Sequence, residues 1–304
     1  MQYILILVAV ACYAAQFAFT KVYEGTVKQT MTTSLVMLVV IGTVGAFLGL
    51  CLNRFHIQFS AASVFWAMIF ALVTIPYYMI GIKVLSMGSL AIYSMFMMLG
   101  GMLVPFSYGV LFLQERLSTG KILGTVLLTF FIILQALTQN TPAGDTSEKT
   151  AGKQKILFFT LCMAIFFLNG LSGVVVKVHQ LEPGAVSEAS FTATSCALTA
   201  IFSAVLLLFT FLNKRQTVTA DAAKTLKLKP VSIIAMISIV QQSGNVLQLM
   251  AASNVPASVQ FPLVSGGVIV LSALVSAFVF REKLSRIEWV AIAGAFASTV
   301  LYAF

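Results

Sequence analysis

The sequence predicts an all-α membrane protein: ten transmembrane helices forming two five-helix inverted repeats. Three observations carry this reading. Of 304 residues, 60% are hydrophobic and 9% charged, with a mean hydropathy of +1.01. Soluble domains carry about 25% charged residues, so a water-facing surface cannot be assembled from this composition. Apolar runs of the roughly 20 residues needed to cross a hydrocarbon core recur along the chain, separated by polar breaks. Finally, a charged junction between two apolar runs occurs twice, as Leu113-Gln114-Glu115-Arg116-Leu117-Ser118 and as Phe280-Arg281-Glu282-Lys283-Leu284-Ser285.

The first run, 2–20, lacks a basic leader and a small-residue cleavage site, and is expected to remain as a helix. It carries Tyr13, Gln16 and Thr20 on one helical face and is followed by Lys21. The second, 31–52, holds Gly45 and Gly49, a small-residue pair matched by Gly294 and Ser298 in the last helix. Such pairs let backbones approach, within the chain or across a possible homodimer. The third, 61–82, contains Pro76, Tyr77 and Tyr78; the fourth, 88–113, contains Tyr93 and Pro105; the fifth, 119–138, closes the first half. Residues 1–138 thus form the first repeat, 139–154 a polar linker rich in Gly, Thr and charge, and 155–304 the second repeat. In the second half, helices are expected over 155–176, 187–212, 231–252, 256–280 and 285–303, with the polar stretch 213–230 as a loop.

The repeat rests on more than the charged junction. Leu52-Asn53-Arg54 recurs as Leu212-Asn213-Lys214, and Lys21-Val22 as Lys177-Val178, in the same order. An odd number of helices per half means that the second half enters the membrane from the opposite side, the arrangement of inverted repeats with a binding site near mid-membrane.

Polar side chains inside membrane helices are costly unless they face protein or a wet cavity. The eighth helix is richest in them: Ser238, Gln241, Asn245 and Gln248 fall on one face, with Gln242 beside it. Amides offer both donors and acceptors, as needed to orient a neutral or zwitterionic solute; the alternative is hydrogen-bond glue between helices. Repeat offsets map Tyr13 and Gln16 onto Asn169 and Ser172, Tyr77 and Tyr78 onto Gly244 and Asn245, and Tyr93 onto Gln260. Tyr13, Gln16, Asn169, Tyr77, Tyr78 and Tyr93 are therefore the further candidates for substrate binding, each with packing as the alternative. Lys21 and Lys177, at helix ends, either snorkel to the headgroups or serve as a gate or an attractor for a carboxylate. Glu188, at the start of the seventh helix, is the candidate for proton coupling by elimination; Glu115 and Glu282 are expected to cap the helix junctions.

With the two Glu-Arg/Lys-Leu-Ser junctions, the two five-helix halves and Gly124 in the helix after the first junction, the sequence resembles the EamA-like ten-helix family of the drug/metabolite transporter superfamily. The resemblance spans nearly the whole chain. It implies a secondary transporter, an exporter of a small organic metabolite or drug-like solute, working by alternating access through a cavity between the repeats, in the bacterial plasma membrane. It also implies cytoplasmic termini, whereas the distribution of Lys and Arg among the loops points the other way.

Other classes fit less well. A net charge of +9 is scattered through short loops without aromatic interleaving, which suits lipid headgroups rather than nucleic acid. No paired acids, HExxH, GxSxG, CxxC pair or phosphate-binding loop occurs, so enzyme chemistry, a metal site and a bound cofactor are not expected. A membrane small-molecule sensor or scaffold without transport is the remaining alternative.

Overall fold

The computed structural model describes residues 2–28, 30–87, 90–138, 148–213, 215–252, 255–281 and 285–301. Among them are eleven helices: α1 (Gln2–Glu24), α2 (Met31–Leu52), α3 (Ala61–Met87), α4 (Leu90–Leu111), α5 (Thr119–Thr138), α6 (Glu148–Leu181), α7 (Glu188–Asn213), α8 (Arg215–Thr225), α9 (Leu228–Ala252), α10 (Ala257–Phe278) and α11 (Arg286–Val300). Seven contain spans long and apolar enough to cross a bilayer: Gln2–Tyr23, Met31–Leu52, Ala61–Gly81, Ile156–Leu181, Glu188–Asn213, Leu228–Ala251 and Ala257–Val275. Many of their large apolar side chains point outward, among them Leu7, Leu72 and Phe209. Apolar length with outward apolar faces is the signature of helices solvated by lipid, and the protein is a multi-pass, all-helical membrane protein.

Two stretches differ from expectation. The polar segment 213–230 is not a loop, because it holds α8. Ala220, Ala222 and Ala223 favour helix there, and the Asp221 carboxylate accepts a bond from the Thr30 hydroxyl at 3.0 Å, tying the helix to the α1–α2 link. The stretch expected as a linker is helical from Glu148 onward, so α6 projects beyond its apolar span. Alanine, lysine and glutamine in 148–155 are good helix formers, and a polar helical extension costs nothing in water. The four cysteines are free; Cys162 and Cys196 are buried and Cys51 is exposed.

The helices pack as two compact units, Met1–Met79 with Val175–Val255 and Ile80–Val174 with Pro256–Phe304. Each draws on both halves of the sequence.

In the first unit α1 lies along α9, and α2 along α7. Lipid is as apolar as a leucine side chain, so close contact rather than water exclusion must hold such helices together. Gly42, Gly45 and Gly49 supply it on α2, facing Ala200, Cys196 and Ala193 of α7; an added Cβ at any of the three would come within 2.9 Å of α7 atoms. The Gly45–Gly49 pair is thus used inside the chain. Tyr23, Val27, Ile41, Ile234 and Ile237 form a buried cluster at one end of this unit. Elsewhere in it the loops α2–α3 and α6–α7 are laced together: Asn53 Nδ2 bonds Ser190 Oγ at 2.7 Å, and Ser187 N–H donates to Gln58 Oε1 at 3.1 Å. Beneath them His179, fully buried, stacks on Phe191 at 3.8 Å and shares a hydrogen bond with Ser63 Oγ at 3.0 Å.

In the second unit α11 packs on α5, and α10 on α4, around Leu99, Met102, Leu128, Ile132, Ile269 and Ala295. The duplicated junction recurs in geometry as well as in sequence. Gln114 and Arg281, at equivalent places, both have left-handed backbones, with φ of 52° and 55°. Ser118 and Ser285 both cap the next helix, accepting from the N–H of Lys121 at 3.3 Å and of Glu288 at 3.2 Å. Glu282 lies outside the described residues. Glu115 does cap a helix, but a distant one: its carboxylate accepts the N–H groups of Ala257 at 2.7 Å and Ser258 at 2.8 Å. Pro256 at the N-cap of α10 offers no side-chain bond, so the acid fills that role, next to the positive end of the helix dipole. Lys121 Nζ donates to the Arg116 carbonyl at 2.9 Å and lies 3.4 Å from Ser258 Oγ.

Candidate solute-binding site

A polar cluster within the spans lies in the first unit, where side chains of α1, α3 and α9 meet. On α9 the order Gln241, Gln242, Asn245, Gln248 puts four amides over two turns. Gly244 faces Tyr13, and a Cβ there would stand 3.2 Å from the Tyr13 ring, so the missing side chain lets the phenol lie against α9. The Tyr13 oxygen is then 2.7 Å from both Asn245 Oδ1 and Gln248 Oε1. A phenol has one proton and two lone pairs. Asn245 Nδ2 donates to Gln242 Oε1 at 2.8 Å. The phenol proton serves one of the two oxygens, and the other amide, whose ends are interchangeable by rotation, can turn its NH2 to the phenol oxygen.

A second arm runs through Gln241. Its Nε2 donates to the Tyr78 hydroxyl at 3.2 Å, and the Tyr78 ring meets Tyr77 edge to face at 5.3 Å and 81°. The Gln241 Oε1 is buried and has no hydrogen-bond partner among the described residues. An acceptor left in that state costs about 1–3 kcal/mol, which an incoming donor would relieve. The cluster contains no charge: it is built of amides and phenols with two aromatic faces.

The remaining candidates fall elsewhere. Ser238, fully buried, donates to the Ile41 carbonyl at 2.8 Å and clamps α9 to α2. Gln16 sits on α1 one turn from Tyr13, half-buried. Asn169 belongs to the second unit and donates to the Met97 carbonyl at 2.7 Å, joining α6 to α4. The Tyr93 side chain lies outside those described. Lys21 is exposed at the end of α1. Lys177 does not snorkel: it is only 5% exposed, and its Nζ donates to the Val255 carbonyl at 3.1 Å, just past the C-terminus of α9. A cation is favoured there by the helix dipole. Glu188 is half-buried in the first turn of α7, where the dipole favours an acid.

Gln242, which lies beside the main stripe, joins the cluster through Asn245. The Ser63–His179 pair escapes a reading by periodicity, because it joins residues from distant segments. Separate from the polar cluster, Leu72, Ile75, Pro76, Phe202, Val205 and Leu206 line an apolar recess of roughly 310 Å³. Leu72 and Val205 are exposed, so the recess opens toward lipid.

No family model and no curated protein matches the chain. Among 28 matching solved chains, one crystal structure aligns over 100% of this chain and 98% of its own, with a TM-score of 0.66 and 14% identity. That likeness shows the fold alone.

Proposed function

We propose that this protein is a secondary transporter of the drug/metabolite type, an exporter of a small organic solute that is uncharged or zwitterionic, working by alternating access in a bacterial plasma membrane. The observation that carries the proposal is the uncharged cluster of Tyr13, Gln241, Asn245, Gln248 and Tyr78 inside the spans, with the Gln241 oxygen buried and unmatched among the described residues. Aromatic walls with a few polar groups are the usual composition of small-molecule sites.

The reading also takes ten crossings arranged as inverted repeats. Equivalent left-handed residues and equivalent serine caps at the two junctions support the repeat. The cross-loop bonds agree in parity with ten crossings. Thr30 meets Asp221 after six intervening spans, and Glu115 meets Ala257 after four when α8 is left out of the count.

The test is untargeted metabolite profiling inside and outside cells expressing the protein, against empty vector and against Gln241→Ala/Asn245→Ala/Gln248→Ala at equal membrane abundance. A solute whose distribution shifts only with the intact chain is the expected result. An inserted, folded protein that shifts nothing across several growth media would sink transport and leave a sensor or scaffold, to be pursued by ligand binding.

A further inference from the structure

The link between α7 and α9 is fixed at a membrane boundary, because one span ends at Asn213 and the next begins at Leu228. Across 213–230 there are five Lys or Arg and a single acid, Asp221. That acid is turned inward onto Thr30, and Thr225, one turn further along α8, is fully buried. The rest of the segment's C-terminal part is exposed: Lys224, Lys227 and Lys229 alternate with Leu226 and Leu228, the two leucines 58% and 87% exposed. Lys28, exposed on the α1–α2 link that Thr30 ties to α8, adds a further cation to this end of the unit.

Lysines alone would be an ordinary solvated surface. Interleaved with two outward leucines at the level where spans leave the bilayer, they match the two layers of a lipid interface: ammonium groups at the phosphates, and leucines in the region just below. We propose that the Lys224–Lys229 segment is a docking site for anionic lipid headgroups, held in place by the Asp221–Thr30 bond. The site is independent of the solute cluster and of transport.

At an anionic surface each lysine contributes roughly a fivefold preference, so loss of three lowers the preference for anionic lipid by roughly tenfold or more after screening. The experiment exchanges purified full-length protein into mixed micelles holding phosphatidylcholine and phosphatidylglycerol in equal amounts, and reads retained lipid by native mass spectrometry. The intact protein is expected to retain phosphatidylglycerol preferentially, less so as salt is raised. Lys224→Gln/Lys227→Gln/Lys229→Gln is expected to lose that preference, while Arg54→Gln/Arg116→Gln, exposed basic residues of other loops, keeps it. Leu226→Asn/Leu228→Asn, with the lysines intact, is expected to retain less lipid in total. An unchanged preference in the lysine variant, or an equal loss in the arginine variant, would overturn the proposal.

Discussion

The Tyr13 hydroxyl lies 2.7 Å from Asn245 Oδ1, across 232 residues of chain, and this bond joins the first helix to the ninth at the centre of the polar cluster. Tyr13→Phe removes the hydroxyl but keeps the ring that fits against Gly244. A double-mutant cycle with Asn245→Ala is expected to give a coupling of about 0.6–2 kcal/mol in unfolding from mixed micelles, the range for hydrogen bonds between membrane helices. Additive effects of the two changes would show that the contact carries no energy.

Solute movement should depend on Gln241 more than its contribution to stability suggests. Its Nε2 donates to Tyr78, and its oxygen has no partner among the described residues. Gln241→Met, similar in shape, is expected to fold at least as well as the native chain, because it removes an unmatched acceptor, yet to lower transport of the solute found by profiling by tenfold or more, equivalent to about 1.4 kcal/mol. Flux at the native level in a stable Gln241→Met protein would remove this residue from the site.

Glu115 is a cap, and its replacement should act on stability. Glu115→Ala leaves the N–H groups of Ala257 and Ser258 without their acceptor and is expected to cost about 1–3 kcal/mol. Glu115→Gln keeps an oxygen for one of them and should cost less. Thermal midpoints in detergent give the order native, Gln, Ala. If Glu115→Gln instead folded normally but abolished transport, the carboxylate would have to be carrying protons.

Gly45→Leu tests how α2 and α7 are held. The new side chain must enter the space of Cys196 Sγ and the Gln242 stem, so overpacking is expected to cost about 1–3 kcal/mol and lower the thermal midpoint. The oligomeric state should not change, since the glycine faces this chain's own helix. A shift in oligomer size with an unchanged midpoint would point to an interface between copies.

Ser63→Ala removes the hydroxyl that accepts the Val186 N–H at 3.1 Å and pairs with buried His179 at 3.0 Å. The expected loss is about 1–3 kcal/mol, seen as faster proteolysis at the α6–α7 loop. Ser63→Thr, which keeps a hydroxyl, should be milder.

Much of this protein was legible in its sequence. Membrane helices report themselves because lipid demands roughly 20 apolar residues and internal backbone bonds, whatever the neighbours. Thus nine of the ten expected spans overlap a long or shorter apolar helix, and the tenth, expected over 285–303, overlaps α11. The stripe of Ser238, Gln241, Asn245 and Gln248 was legible for the same reason, since helical period alone puts these residues on one face.

What a face touches is another matter, and only the tertiary structure decided it. Periodicity grouped Ser238 with the amides, but packing against α2 commits it to the Ile41 carbonyl. Lys177 has the position of a snorkelling lysine and instead reaches a carbonyl beyond α9. Glu115 has the position of a local junction cap and instead caps α10, 142 residues away. In each case the residue type and the helix are local properties, fixed by the sequence within a turn or two. The partner is a group far along the chain, brought within hydrogen-bond range only by the close approach of helices.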